Sequence, residues 1–532
     1  MSKTTESSVV PVVVGVVCSL MPLTLPRPAD TRTVPGLYTR SGPGDHRAHR
    51  RRPHPGSRMI VAPFGRFTEG RVPDPGIARL FTRENRWQAR LDVEAALALA
   101  EADAGLIPAE SARAIALTAR IEKLDVKRVL AATAEASHPL VPLIEEFARA
   151  VGSKHGGWVH WGATTQNITQ TADVLVLRDA HRAILRQLGR VLRSAGRLAE
   201  SSAALPMAGR THSQHAVPVT FGFKVAVWID QLAAHADRLE RLDERLFCVL
   251  MGGAAGTFAS FGGSGRAIEA GVARRLGLHP MRVPSRSVND GIVELVLVLA
   301  QLAGTIGKIG KDVYTLMQPE FAEAFEPVPE GTVGSSTMPH KRNPQLALDM
   351  QTMSAELRAL AGPALESMLH DQEANGAMTA LLEDVSASAA VLAGDMLARL
   401  EVVMDGLELD PGRMRANIRL SEGMIGSESL MLALGEKIGR QRAHDVVFAV
   451  AQATASGSRP FLELLHGDPV VSEAFDDDEL RALLDPAGYL GLSVEIAREL
   501  AACAGEAADR LEALPERIPV AIGSQRPGTP AG

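Results

Sequence analysis

The sequence predicts an all-α protein, a three-part subunit built around a central bundle of long helices. Three observations lead there. Of the 532 residues, 46% are hydrophobic but only 4% are aromatic, so the core is aliphatic and suits packed helices better than aromatic-rich sheets. Long proline-free stretches carry apolar residues at helical spacing. The breaks between those stretches are polar and glycine-rich.

Residues 1–58 stand apart from this pattern. They hold nine Lys and Arg against three Asp and Glu, in a chain whose overall net charge is −6. The apolar run at 9–25 is short for a membrane span and is broken by Pro11 and Pro22. The segment reads as a disordered basic extension, with three readings open: an over-called start ahead of Met59, a targeting segment, or a basic interaction arm.

Helical text then begins. Residues 59–170 form an N-terminal helical domain, in which 85–104 is a helix stopped by Gly105. Residues 171–405 form the central bundle. There, Leu232, Leu239, Leu242, Leu246 and Val249 share one stripe, which predicts a single helix over 220–250. The stretch 288–317 is apolar around most of its circumference, as the centre of a bundle requires. Glu294, Lys308, Lys311 and Asp312 interrupt it, which favours a buried core over a membrane span. Residues 406–532 form a smaller C-terminal helical domain.

Composition also excludes several function classes. Cys18, Cys248 and Cys503 lie far apart, which argues against a disulfide framework or a cysteine zinc site and fits the cytoplasm. With the basic extension set aside the chain is acidic, so it is no nucleic-acid binder by bulk charge. No metal-ligand cluster is visible. The glycine runs 252–256 and 262–265 lack the strand-then-helix context of a dinucleotide fold and read as a flexible inter-helix loop. No cofactor is expected, and no membrane partner.

Chemistry concentrates in three polar islands. The sharpest is GTVGSSTMPHKRNP at 331–344. Small residues there let the backbone donate to an anion, and Lys341 and Asn343 add charge and hydrogen bonds. The others are HWGATTQN at 160–167 and GRTHSQHAVPVT at 209–220. Together they suit removal of a proton beside a carboxylate. That reaction builds up a dianion and needs convergent donors, a base, and often an acid for the leaving group.

These three islands, in this order, resemble the signature regions of the fumarase/aspartase superfamily, also called the class II fumarase or argininosuccinate lyase type, over about residues 66–510. The resemblance implies a homotetramer with a twenty-helix core and active sites shared between subunits. It implies that Ser335 is the catalytic base and His212 the general acid. It implies that Thr164, Thr165, Thr211, Ser336, Lys341 and Asn343 hold the substrate, with His138, Gln214 and Arg286 as further contacts. Segments 89–108, 215–228 and 483–491 resemble the branch of adenylosuccinate lyase and 3-carboxy-cis,cis-muconate cycloisomerase. Two departures separate this chain from both. It keeps His212, where cycloisomerases generally carry a bulky apolar residue. It has Ala374, between Glu373 and Asn375, where both branches place an arginine. The expected activity is therefore that of a carbon–nitrogen lyase releasing fumarate from a small substituted succinate, with an amine or nitro leaving group. The alternatives are a cycloisomerase of the carboxymuconate type or adenylosuccinate lyase.

Overall fold

The computed structural model describes residues 66–329, 336–457 and 459–516. The expectations for residues 1–58 and for Ser335 fall outside these described residues.

Among the described residues, four helices of ten residues or more make the head: α1 (Arg83–Asp103), α2 (Ala109–Thr118), α3 (Val126–Ala136) and α4 (Val141–Val151). α1 buries Leu91, Val93 and Leu97 against its neighbours and stops at Gly105, whose φ of 75° leaves the helical region. α3 starts where the Asp125 carboxylate accepts the Arg128 N–H at 3.1 Å.

The body begins with α5 (Thr165–Ser201), a 37-residue helix of roughly 55 Å. A hairpin follows, β1 (Pro206–Thr211) paired antiparallel with β2 (Gln214–Thr220), and then α6 (Phe221–Glu240). Next come α7 (Gly265–Leu276), α8 (Asp290–Leu316), α9 (Gln345–Ala359) and α10 (Gly376–Gly406). α8 packs on α6, α9 and α10. Its length and composition would suffice to cross a membrane, but 67% of its apolar window is buried inside the fold. Leu295, Leu299, Leu302 and Ile306 lie on its buried side. Truncating one of them to alanine would cost about 2–5 kcal/mol.

The long helix expected over 220–250 is shorter in the structure. It ends at Glu240, and the chain then passes through a one-turn helix at Asp243–Leu246 into a short parallel bridge of Cys248–Val249 with His279–Pro280. Leu242 and Leu246 remain buried after the turn. Apolar periodicity reports which residues face the core, not whether the backbone between them is continuous.

Beyond α10, short helices between Ser427 and Leu483 gather Leu430, Leu434, Phe461, Leu465 and Val471 into a core of their own. The last helix, α11 (Ser493–Glu512), returns to pack along α5 and α6.

Candidate active site

The first island sits at the start of α5. Thr164 is the N-cap, and its N–H donates to the Asn167 side-chain oxygen at 3.1 Å. Thr164 and Thr165 are half-buried, whereas Gln166 and Asn167 are buried. The Gln166 amide ties this turn to a distant loop. It donates to the Arg286 carbonyl at 3.1 Å and accepts from the Arg286 Nε at 2.8 Å. The Arg286 Nη1 also donates to the Ala254 carbonyl at 2.6 Å. Thr164, Thr165 and Arg286 thus share one end of the bundle. Desolvation pulls the Arg286 pKa down.

Of the two glycine runs, 252–256 forms a wall of this end, where its Ala254 carbonyl meets Arg286. A Cβ on Gly252 would lie 2.7 Å from the Pro284 ring, and one on Gly162, at φ 69°, would lie 2.6 Å from Phe261. Close approach requires glycine at position 252, and close approach together with positive φ requires it at position 162. Behind the wall, His160 holds φ 62° and its Nδ1 pairs with the buried Glu94 at 2.6 Å. Burial would lower the His160 pKa, but the Glu94 hydrogen bond and charge raise it overall.

His138 lies in the head, at the turn into α4. Its Nδ1 accepts the N–H groups of Leu140 and Val141 at 3.2 and 3.0 Å, which leaves the proton on Nε2. Arg90 fixes the same turn through the Pro139 carbonyl at 2.9 Å.

The second island folds as the hairpin. Thr211 pairs with Gln214, and the two turn residues His212 and Ser213 have φ of 50° and 63°. Two-residue turns of this kind favour Asn-Gly, because both central residues need positive φ. A histidine held there is a strained placement that the surroundings must maintain. The base of the hairpin does so. Arg210 forms a two-pronged pair with the fully buried Glu323 at 2.9 and 2.7 Å, and Asn417 donates to the same carboxylate at 2.8 Å. The tip, from Thr211 to Gln214, is exposed.

The third island is described from Ser336 onward. Ser336 and Lys341 are exposed and Asn343 is half-buried. The loop leads into α9, whose first N–H groups, from Leu346 and Ala347, donate to the buried Glu326 at 2.9 Å each. Desolvation raises the Glu326 pKa and these two N–H bonds lower it. The start of α9 is therefore satisfied by the protein's own carboxylate. The segment before α1 braces α9 further along: Thr68 donates to Asp349 from its N–H at 3.0 Å and its hydroxyl at 2.7 Å, and Arg71 donates to Gln345 at 2.7 Å.

The structure groups these residues at two opposite ends. Thr164, Thr165 and Arg286 lie where α5 and α8 begin. The hairpin follows the end of α5 within a few residues, and Arg342 reaches Glu408, past the end of α10, at 3.6 Å. His212, Gln214, Ser336, Lys341 and Asn343 therefore belong to the far end of helices roughly 40–55 Å long. One chain cannot bring the two sets together.

Sequence reasoning missed Gln166 and a cleft of about 560 Å³ between the hairpin, α6 and α8. Thr211, Ser213, Lys224, Lys308 and Lys311 line it. The signal for the cleft was present, since Lys308 and Lys311 interrupt an otherwise apolar helix. Among the described residues, no group of three or more His, Cys, Asp or Glu is placed to hold a metal.

Comparison with known proteins follows the same order along the chain. A family model described as Lyase matches residues 68–357, and one described as Adenylosuccinate lyase C-terminus matches residues 423–500. N-acetyl-S-(2-succino)cysteine lyase of Dickeya dadantii is 37% identical over 418 residues, covering 78% of this chain and 92% of that protein. The 3-carboxy-cis,cis-muconate cycloisomerase of Pseudomonas aeruginosa is 36% identical over 416 residues, covering 77% and 90%. The crystal structure of a fumarate lyase from Mesorhizobium sp. BNC1 superposes with a TM-score of 0.76 at 33% identity, covering 81% of this chain and 98% of that one.

Proposed function

This chain belongs to the lyase family of the fumarase/aspartase superfamily, and from that premise we propose that it eliminates a heteroatom group from a small 2-substituted succinate to release fumarate. Its reaction is of the fumarate-lyase type. In the proposed step, Ser335 takes a proton from the carbon next to the one bearing the leaving group. The electron pair is held first as an aci-carboxylate, then forms the double bond as the carbon–heteroatom bond breaks. The departing atom keeps its electron pair and takes a proton from His212. Lys341, Ser336 and Asn343 hold the carboxylate on which charge accumulates, where fixed donors act most strongly. Thr164 and Thr165, at the N-terminal end of α5, grip the other carboxylate together with Thr211. His138, Gln214 and Arg286 complete the contacts. The step calls for no cofactor.

The observation that carries this reading is the presence, at one end of the bundle, of an exposed cationic loop and a strained hairpin that holds a histidine in solvent. Because the matching carboxylate grip lies at the other end, the site is completed by further copies of the chain, in a homotetramer.

Nitrogen is the departing atom expected from the sequence, and retention of His212 supports it, since an amine must be protonated to leave. Sulfur is a second reading, supported by the Dickeya relative, a lyase of a succinated cysteine derivative. Ala374 weighs against a nucleotide monophosphate, which would lose a bidentate arginine contact.

The test is a panel of N-succino amines, nitrosuccinate, N-acetyl-S-(2-succino)cysteine, adenylosuccinate and carboxymuconate, read by the ultraviolet absorbance of fumarate. Fumarate from one or more of the small succinates, and little from adenylosuccinate, is expected. Turnover of adenylosuccinate alone, or lactone formation from carboxymuconate alone, would replace the proposal with the corresponding alternative.

A further inference from the structure

We propose that the cleft between the hairpin, α6 and α8 binds an anionic group on the leaving half of the substrate, a carboxylate of the kind borne by an N-acylated amino acid. The inference rests on the elimination reading above. The cleft, at about 560 Å³, is large enough for a group of several carbon atoms. It opens beside Thr211 and Ser213, the two neighbours of His212. A leaving group protonated at the hairpin tip extends directly into it.

Its walls are cationic. Lys224 comes from α6, and Lys308 and Lys311 come from α8, three residues apart and so on one face of that helix. Asp312 is the one carboxylate among the lining residues, and it accepts from the Trp228 indole N–H at 3.2 Å. Lys308 donates to the neutral Gln231 side chain at 2.8 Å. Among the described residues none of the three ammonium groups stands in an ion pair, whereas Arg210 on the same wall is paired through both terminal nitrogens with Glu323. In a chain of net charge −6 this is a local reversal of sign, and a concave surface concentrates such a field. Val217, Val227 and Trp228 supply apolar contact for the carbons between the reacting centre and the anion. The two succinate carboxylates are already assigned to Lys341 and to the start of α5. These lysines therefore have no task in the succinate half.

Two substrates that differ by one charge test the proposal: N-acetyl-S-(2-succino)cysteine and the same compound with its cysteine carboxylate converted to the carboxamide. The full-length protein should favour the acid by about tenfold in kcat/KM, the scale of one charge-assisted hydrogen bond. Lys311→Met should bring that ratio close to one, and Lys224→Met should lower it in part. Equal use of both compounds by the unaltered protein, or a ratio unchanged in Lys311→Met, would overturn the proposal. A Lys311→Met protein that loses its oligomer on size-exclusion chromatography and acts equally poorly on both compounds would assign the cleft to contact between copies, and would overturn it too. Release of fumarate from neither compound, nor from any N-succino amine or nitrosuccinate, would instead count against the elimination reading, a result distinct from equal release from both.

Discussion

At one end of the bundle Thr164, Thr165 and Arg286 sit in a mesh of buried partners; at the other, His212, Ser336 and Lys341 stand in solvent. Gln166 and Asn167 are each less than a tenth exposed, and they hold Arg286 and Thr164 from behind. The second set is held at its base, by Glu323 under the hairpin and Glu326 under the loop. The difference teaches where damage should register. Changes at the first end disturb buried polar groups and cost stability. Changes at the second end remove exposed groups with few partners and cost turnover alone.

The largest effect should come from the base that the resemblance assigns, which lies outside the described residues. Ser335→Ala is expected to lower kcat by about 10³ or more while the melting temperature and oligomer size stay as before. A variant that keeps its rate would place the base elsewhere. His212→Asn should follow, with a loss of about 10² in kcat/KM for amine leaving groups and a much smaller loss for a thiol, whose lower pKa lets it leave unaided. An equal loss across leaving groups would remove its role as acid.

Gln166→Leu tests the buried end. It strips the Arg286 Nε of its acceptor, so stability should fall by about 1–3 kcal/mol, and KM should rise more than kcat falls. An unchanged melting curve would break the contrast between the two ends. The one stabilising change concerns Glu101, on α1. Burial first, and the Glu94 charge second, push its pKa up to about 9, and neither carboxylate oxygen finds a partner among the described residues. The folded state then keeps a proton that the unfolded chain releases above its ordinary value. Stability contributed this way is present at low pH and is lost as pH rises toward 9. Glu101→Gln should therefore stabilise the protein by about 2 kcal/mol at neutral pH, with the gain shrinking below pH 5 in melting curves taken across that range. The raised His160 works in the same direction, its contribution fading as pH climbs through its folded value.

Much of the fold was legible beforehand. The helices at Arg83–Asp103 and Asp290–Leu316 lie close to the expected spans, because leucine spacing and glycine stops act locally. The turn after Glu240 was not legible, since the leucines beyond it stay buried. Nor was the hairpin, because the pairing of Arg210 with His215 depends on Glu323, more than a hundred residues away. At the candidate site, the island motifs marked Thr164, His212 and Lys341. Gln166 escaped because its partner, Arg286, is brought near only by packing.

By itself, then, the sequence determined the helices, the aliphatic core and the chemistry of three polar islands, because each follows from side chains within a few turns of one another. Tertiary structure alone decided that two islands lie at one end and the third at the other, that the glycine run 252–256 forms a wall, and that three lysines face a common cleft. Those facts depend on how helices roughly 40–55 Å long lie side by side, and no local pattern encodes the direction in which two distant helices run.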